Sequence, residues 1–189
     1  MRAALTRALA VLAAALSIAF PFWAWFGLKH FGLGAAAAGL AVLAAVRLAA
    51  KPSRAALLQA AGAALLALAA FLLKSAAAVM LYPVLVNGFL LWLFGSSLLP
   101  GRMPVVERIA RLREDLPPQG VRWCRQVTKA WVLFFLLNGL LALATVVIGD
   151  RDLWLAWNGC GSYVAIGAMF AGEWLLRRRI RRTDKAESR

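Results

Sequence analysis

The chain has 189 residues, of which 63% are hydrophobic and only 16% are charged. Soluble domains average about 45–50% apolar and about 25% charged residues, so this composition excludes an ordinary soluble protein and predicts a membrane domain. The formal net charge of +14 would favour nucleic-acid binding in a soluble protein. Membrane proteins instead accumulate Lys and Arg in their cytoplasmic loops, and we therefore expect no nucleic-acid partner.

The first apolar segment follows Arg2 and Arg7 and continues to Leu28. Its beginning, with small residues up to Ala19, is also compatible with a cleaved signal peptide, and this alternative stays open. The whole run has about the length that crosses the hydrocarbon of a bilayer, and aromatic residues at its far end are typical of the membrane interface. We favour an uncleaved first transmembrane helix.

Five further apolar segments follow, separated by short charged or proline-containing turns. They cover residues 31–46, 55–73, 75–99, 130–149 and 153–176. The second and third segments are rich in Ala and only mildly hydrophobic, so they could also form a helical hairpin inside a bundle. Pro83 predicts a kink in the fourth. The sequence predicts an all-α polytopic membrane protein with six transmembrane helices, forming a single domain over residues 1–176.

The distribution of charge predicts the orientation of these helices. With both termini in the cytoplasm, all but three of the 22 basic residues lie on the cytoplasmic side, the exceptions being Lys29, Lys74 and Arg151. This asymmetry follows the positive-inside rule. If the first helix were cleaved, the other five could keep the same orientation.

Residues 100–129, here called the central stretch, form the one sizeable charged segment between apolar segments. Four apolar residues at spacings of 4, 3 and 4 share one helical face: Val105, Ile109, Leu112 and Leu116. Four charged residues are predicted to point elsewhere: Glu107, Arg108, Arg111 and Glu114. The pattern predicts an interfacial amphipathic helix between transmembrane helices four and five, ended by Pro117 and Pro118.

The basic residues of this helix are candidates for binding anionic lipid headgroups or a protein partner. They are Arg108, Arg111 and Arg113. A second group of candidates begins the basic cytoplasmic tail at residues 177–189: Arg177, Arg178 and Arg179. The alternatives are an ordinary interfacial connector for the first group and a stop-transfer anchor for the second.

Polar side chains within the apolar segments are the remaining candidates for function. Asn87, Asn138 and Asn158 belong to three different predicted helices, and each amide needs partners that lipid cannot provide. They could join helices or serve a transport pathway. Glu173 precedes the arginine run, which favours an interfacial ion pair over a proton carrier.

Motifs for catalysis are missing from the sequence. His30 is the single histidine and has no neighbouring carboxylate to complete a metal site. Cys124 and Cys160 are predicted on opposite halves of the membrane, so we expect no disulfide. The sequence contains neither a Gly-x-Ser-x-Gly elbow nor a Gly-rich phosphate loop with its lysine. We expect a protein without catalytic activity, metal or cofactor.

The second half of the chain, from about Tyr82 to Trp174, resembles the intracellular septation protein A family of small bacterial inner-membrane proteins. The resemblance rests on residues 104–108 (PVVER), 116–118 (LPP), Trp123, Arg125, 130–135 (AWVLFF) and 138–140 (NGL). The Ala-rich first half and the arginine tail depart from that family. The resemblance implies a sister group of uncharacterised bacterial membrane proteins that accompany aryl-polyene and fatty-acid-like biosynthesis genes.

From these observations we expect a multi-pass protein of the bacterial inner membrane without catalytic function. It would support cell-envelope biogenesis or membrane homeostasis, or act as an accessory to a lipid-like biosynthetic system. Its expected partners are anionic lipids of the inner leaflet and envelope or lipid-synthesis proteins. The alternatives are a small transporter or flippase for an amphiphilic product and a component of a membrane-bound enzyme.

Overall fold

The computed structural model describes residues 2–50, 54–112 and 115–187. Over these residues the regular structure is helical throughout. The helices are α1 (Arg2–His30), α2 (Leu33–Ala49), α3 (Arg54–Leu73), α4 (Ala76–Met80), α5 (Tyr82–Ser97), α6 (Val105–Ala110), α7 (Pro118–Ile148), α8 (Arg151–Leu155), a π-helix (Ala156–Gly161) and α9 (Ser162–Glu187).

Four helical stretches among the described residues are long and apolar enough to cross a membrane. They are Val11–His30, Ala56–Leu73, Ala76–Ser97 and Pro118–Ile148, and the shorter α2 is also apolar. Large hydrophobic side chains lie exposed along them, among them Leu65, Phe71 and Val147. Side chains of this kind are stable on an outer surface when lipid covers them. The predicted all-α membrane protein is thereby confirmed in its class.

The first four helices pack closely because small side chains line their contacts. Ala24, Ala36, Ala63 and Ala70 are completely buried in one core. At Gly27, an added Cβ would lie only 3.2 Å from the backbone nitrogen of Ala36, so α1 and α2 approach closely at this point. Small residues allow such approaches in membranes, where dispersion contacts between helices replace the hydrophobic driving force.

A second core between α5 and α7 is aromatic. Trp131 and Phe135 are buried on α7, and their rings stack with centroids 5.5 Å apart. Phe94 of α5 meets Phe135 edge to face at 5.1 Å. Offset and edge-to-face rings add to the energy of burial, so these side chains hold α5 against α7.

Helix α7 begins well before the predicted start at Ala130. Pro118 lies in its first turn, where a proline ring is favourable because no hydrogen bond is lost. Cys124, Val127 and Trp131 then follow on one buried face. The later part of the central stretch therefore forms the first turns of α7.

The predicted sixth helix is divided. Asp150 caps α8, its carboxylate accepting hydrogen bonds from the backbone nitrogens of Asp152 at 2.8 Å and Leu153 at 3.0 Å. After Leu155 the chain widens into the π-helix and then continues as α9.

Contacts between distant residues align the helix ends. Trp25 near the end of α1 donates to Asp152 of α8 at 2.7 Å, and Arg151 donates to the Leu28 carbonyl at 3.3 Å. At the opposite end of α7, Arg125 donates to the Leu98 carbonyl at 2.7 Å. The end of the molecule that carries α6 and Arg125 is called the basic end below.

Candidate functional site

Helix α6 lies at the basic end with its acidic side chain turned inward. Glu107 is only 6% exposed, and its carboxylate accepts a hydrogen bond from Arg111 Nε at 2.9 Å. The sequence placed Glu107 away from the face of Ile109 and Leu112, and the two do lie on different faces, but Glu107 is on the buried one, where Arg111 pairs with its carboxylate. Ile109 and Leu112 are instead 57% and 82% exposed.

The helix is also shorter than the predicted one, which extended to Pro117. Regular helix ends at Ala110, and the Leu112 nitrogen then bonds to the Ile109 carbonyl at 3.2 Å. Bonds over three residues tighten the last turn of a helix and complete it. Arg108 is exposed beside Ile109, whereas Arg113 and Glu114 lie outside the described residues.

Two of the three predicted intramembrane amides contact each other. Asn138 Nδ2 donates to Asn87 Oδ1 at 3.0 Å, and Asn87 Nδ2 donates to the Pro83 carbonyl at 2.8 Å. Gly139 lies against Asn87, where an added Cβ would come within 3.2 Å of the Asn87 Cβ. The pair therefore joins α5 to α7, and Asn138 Oδ1 has no hydrogen-bond partner among the described residues.

Asn158, the third amide, lies separately in the π-helix. It donates to Thr145 Oγ1 at 3.1 Å and to the Trp154 carbonyl at 2.9 Å. Its own backbone carbonyl accepts from Ser162 at 3.1 Å. The side chain thus binds the widened turn to α7, in keeping with the need to pair backbone groups that a π-bulge leaves free.

Glu173 forms an ion pair within α9. Its carboxylate lies 3.0 Å from Arg177 Nη2. The guanidinium of Arg178 lies 5.1 Å from the ring centroid of Trp174, a cation–π distance. The side chain of Arg179 lies outside the described ones.

A cavity of about 330 Å³ lies between α7 and α9. Its walls are largely apolar, and Trp123, Gln126 and Glu173 add polar atoms. The indole Nε1 of Trp123 is buried and has no hydrogen-bond partner among the described residues. This volume is within the range of ligand sites, about 300–1,000 Å³.

Arg47 is a polar centre that the sequence did not single out. It was assigned to the turn after α2, yet its guanidinium reaches between helices and donates to Gln59, to Ser17 at 2.7 Å and to Tyr82 at 3.3 Å. These partners are neutral, and among the described side chains no carboxylate pairs with Arg47. The signal that could have found it is the presence of Gln59 and Ser17 as isolated polar residues in neighbouring apolar segments.

The described residues contain no group of three or more His, Cys, Asp or Glu side chains that could hold a metal ion. His30 packs its ring against Phe26, with centroids 4.6 Å apart. Cys124 is buried in α7, and Cys160 is exposed in the π-helix.

No family model, curated protein or solved structure matches the chain. The resemblance of the second half to the intracellular septation protein A family therefore stays an expectation from the residues that carry it.

Proposed function

We propose that this protein is a non-catalytic, six-helix protein of the bacterial inner membrane that supports envelope biogenesis as an accessory to a lipid-like biosynthetic system. Its basic end would lie in the cytoplasm, where α6 and the arginines around it meet anionic lipid and a protein partner. Both termini would lie on that same side.

The observation that carries the proposal is the outward face of α6. Ile109 and Leu112 are exposed beside the exposed Arg108, while Glu107 is buried and neutralised by Arg111. The outward surface is therefore apolar and cationic at once. Such surfaces bind an anionic membrane surface or an acidic partner, with about 1 kcal/mol for each basic residue near the lipid.

The contacts between helix ends support six membrane crossings, because they place successive helix ends at opposite ends of the molecule. The end of α1 meets the start of α8, and the end of α5 meets the first turns of α7 at the other end of the molecule. Helix α2, with 17 residues, reaches the lower limit of about 17–25 residues for a crossing. The π-helix and α9 together provide the sixth.

The decisive experiment is crosslinking and pull-down from native membranes with variants of the outward face alone. Replacing Ile109 and Leu112 by Ser and Arg108 by Gln leaves the Glu107–Arg111 pair intact. We expect the wild type to enrich envelope or lipid-synthesis proteins, and the triple variant to lose most of that enrichment.

The matched control replaces Leu65 and Phe71, which are exposed on α3 away from α6, by Ala. This control should capture partners as the wild type does. Equal capture by the α6 variant and the control would contradict the proposal.

A second candidate function, transport of an anionic amphiphile, is favoured by Arg47. A cation surrounded by neutral donors and acceptors is costly inside a membrane and is typical of substrate pathways. Purified protein in liposomes would then move a fluorescent anionic lipid between leaflets, and Arg47→Gln would reduce the rate while Lys74→Gln would not. Wild-type vesicles no faster than protein-free vesicles would exclude this candidate.

A further inference from the structure

We infer that Arg47 and Gln59 bind the oxyanion headgroup of a membrane amphiphile at the surface between α2 and α3. This inference deepens the second candidate function and rests on the membrane placement proposed above, because it names the headgroup chemistry and the residues that hold it. It requires binding alone, without movement of the amphiphile between leaflets.

The guanidinium of Arg47 lies at the depth of the hydrocarbon. Its partner Ser17 is the seventh residue of the span Val11–His30. Its partner Tyr82 is the seventh residue of the span Ala76–Ser97. At a rise of about 1.5 Å per residue, each partner lies about 9 Å from the start of its span. In the proposed topology these two spans start on opposite sides of the membrane, so the guanidinium between them is removed from both surfaces.

The charge of Arg47 has no counter-ion among the described side chains. Its hydrogen-bond partners are neutral, and both ion pairs in the described part of the chain involve other arginines, on α6 and α9. A guanidinium does not lose its proton in a protein, so the cation is costly at this depth unless an anion compensates it. An anion bound from outside the chain supplies this compensation.

Two neighbouring N–H groups are left to hold such an anion. A guanidinium has five N–H donors, and Arg47 gives three of them to its neutral partners. Of the other two, the Nε–H is enclosed by protein, and the second belongs to Nη1, which also donates to the side-chain oxygen of Gln59. The amide nitrogen of Gln59 donates to none of the described residues. The free Nη1–H and the Gln59 amide therefore lie side by side.

This pair of donors borders the lipid-facing surface. Arg47 and Gln59 are both half-buried, and Leu48 and Leu58 beside them in the chain are 53% and 55% exposed. The acyl chain of an amphiphile can lie in the lipid against this surface and needs no enclosed cavity. A headgroup with one negative charge, a carboxylate or a phosphodiester, matches the single guanidinium and accepts charge-assisted hydrogen bonds from it.

The test is native mass spectrometry of the purified full chain with added hexadecanoate, phosphatidylglycerol or the neutral hexadecanol. Wild-type protein should retain at least one of the two anions in clear preference to hexadecanol, and the anion retained identifies the headgroup as a carboxylate or a phosphodiester. Gln59→Glu places a carboxylate of the chain itself beside Arg47 Nη1. This variant should fold at least as well as the wild type by thermal unfolding and retain the anion about tenfold less.

Gln119→Glu is the matched control, because it makes the same change of charge at an exposed position in the first turn of α7, and it should bind as the wild type does. Arg47→Gln removes the cation and should also lose retention, while Gln59→Glu keeps the test decisive if Arg47→Gln fails to fold. Hexadecanol retained as well as both anions, or Gln59→Glu binding as Gln119→Glu does, would overturn the inference. Selective retention without movement between leaflets would exclude the transport candidate and leave this inference standing.

Discussion

At the scale of single residues, two pairs of polar side chains account for buried groups that the sequence singled out. Asn87 and Asn138 form one such pair, and Glu107 with Arg111 forms a second within α6. Both pairs include candidates that the sequence put forward for function. In the structure these side chains stabilise the packing, because each one pairs with a polar group that lipid would leave without a hydrogen bond.

Replacing Asn138 by Leu should destabilise the packing of α5 on α7, because Asn87 Oδ1 loses its donor. Hydrogen bonds between membrane helices contribute about 0.6 kcal/mol on average and up to about 1.7. Unfolding in mixed detergent micelles, run as a double-mutant cycle with Asn87→Leu, measures the coupling. A coupling energy of zero would show that the amide pair does not hold the helices together.

Replacing Arg111 by Met should lower stability by about 1 kcal/mol, because Glu107 stays buried without its cation while the solvent around the exposed Arg111 limits the loss. Arg108→Met is the control, and we expect a change below about 0.5 kcal/mol. Thermal unfolding followed by circular dichroism compares them. Adding Glu107→Gln to Arg111→Met should recover part of the loss, and a further loss would contradict this account.

At the scale of helices, a side chain of α8 forms a hydrogen bond at the break between α4 and α5. Trp154, which is buried on α8, donates its indole N–H to the Met80 carbonyl at 3.0 Å. Pro83 follows in the first turn of α5 and has no backbone N–H to donate to the Val79 carbonyl four residues earlier. The indole of Trp154 supplies a hydrogen bond to the neighbouring Met80 carbonyl at the same break.

Trp154→Phe should destabilise the protein by about 1–3 kcal/mol, because the Met80 carbonyl stays buried without a donor. Trp92→Phe is the control, since Trp92 is exposed on α5. The measurement is the midpoint of thermal unfolding for both variants in the same detergent. Equal midpoints would mean that the indole hydrogen bond does not secure the break.

At the scale of the whole molecule, the proposed six crossings require that successive loops lie on opposite sides of the membrane. In a background of Cys124→Ala and Cys160→Ser, Lys74→Cys should react with a membrane-impermeant maleimide in intact spheroplasts. Arg102→Cys should react only after permeabilisation. Labelling of both positions from the same side would contradict the six-helix topology.

The sequence predicted those parts of the fold that depend on neighbouring residues in the chain. Apolar runs located the helices, and Pro83 located the break before α5. The start of α7 was misplaced because charged side chains such as Arg122 and Arg125 mask a helical face that packs through Cys124 and Val127. Charged residues in a sequence indicate which positions are exposed. Whether the helix continues through them depends on what the opposite, buried face of that helix contacts.

The candidate site was predictable only in part. Glu173 was expected beside an arginine, and the structure shows the pair with Arg177. Arg47 was assigned to a turn, because its partners on α1, α3 and α5 are far away in the sequence. The cavity at Trp123 likewise arises from two helices that no local pattern brings together.

The sequence by itself determined the membrane class and the helical character of the chain, because hydropathy and helix length follow from neighbouring residues alone. Only the tertiary structure decided that Glu107 turns inward, that Asn138 meets Asn87, and that α7 and α9 border a half-open cavity. Those outcomes depend on which helix faces meet. That choice is set by the fit of many side chains from distant parts of the chain.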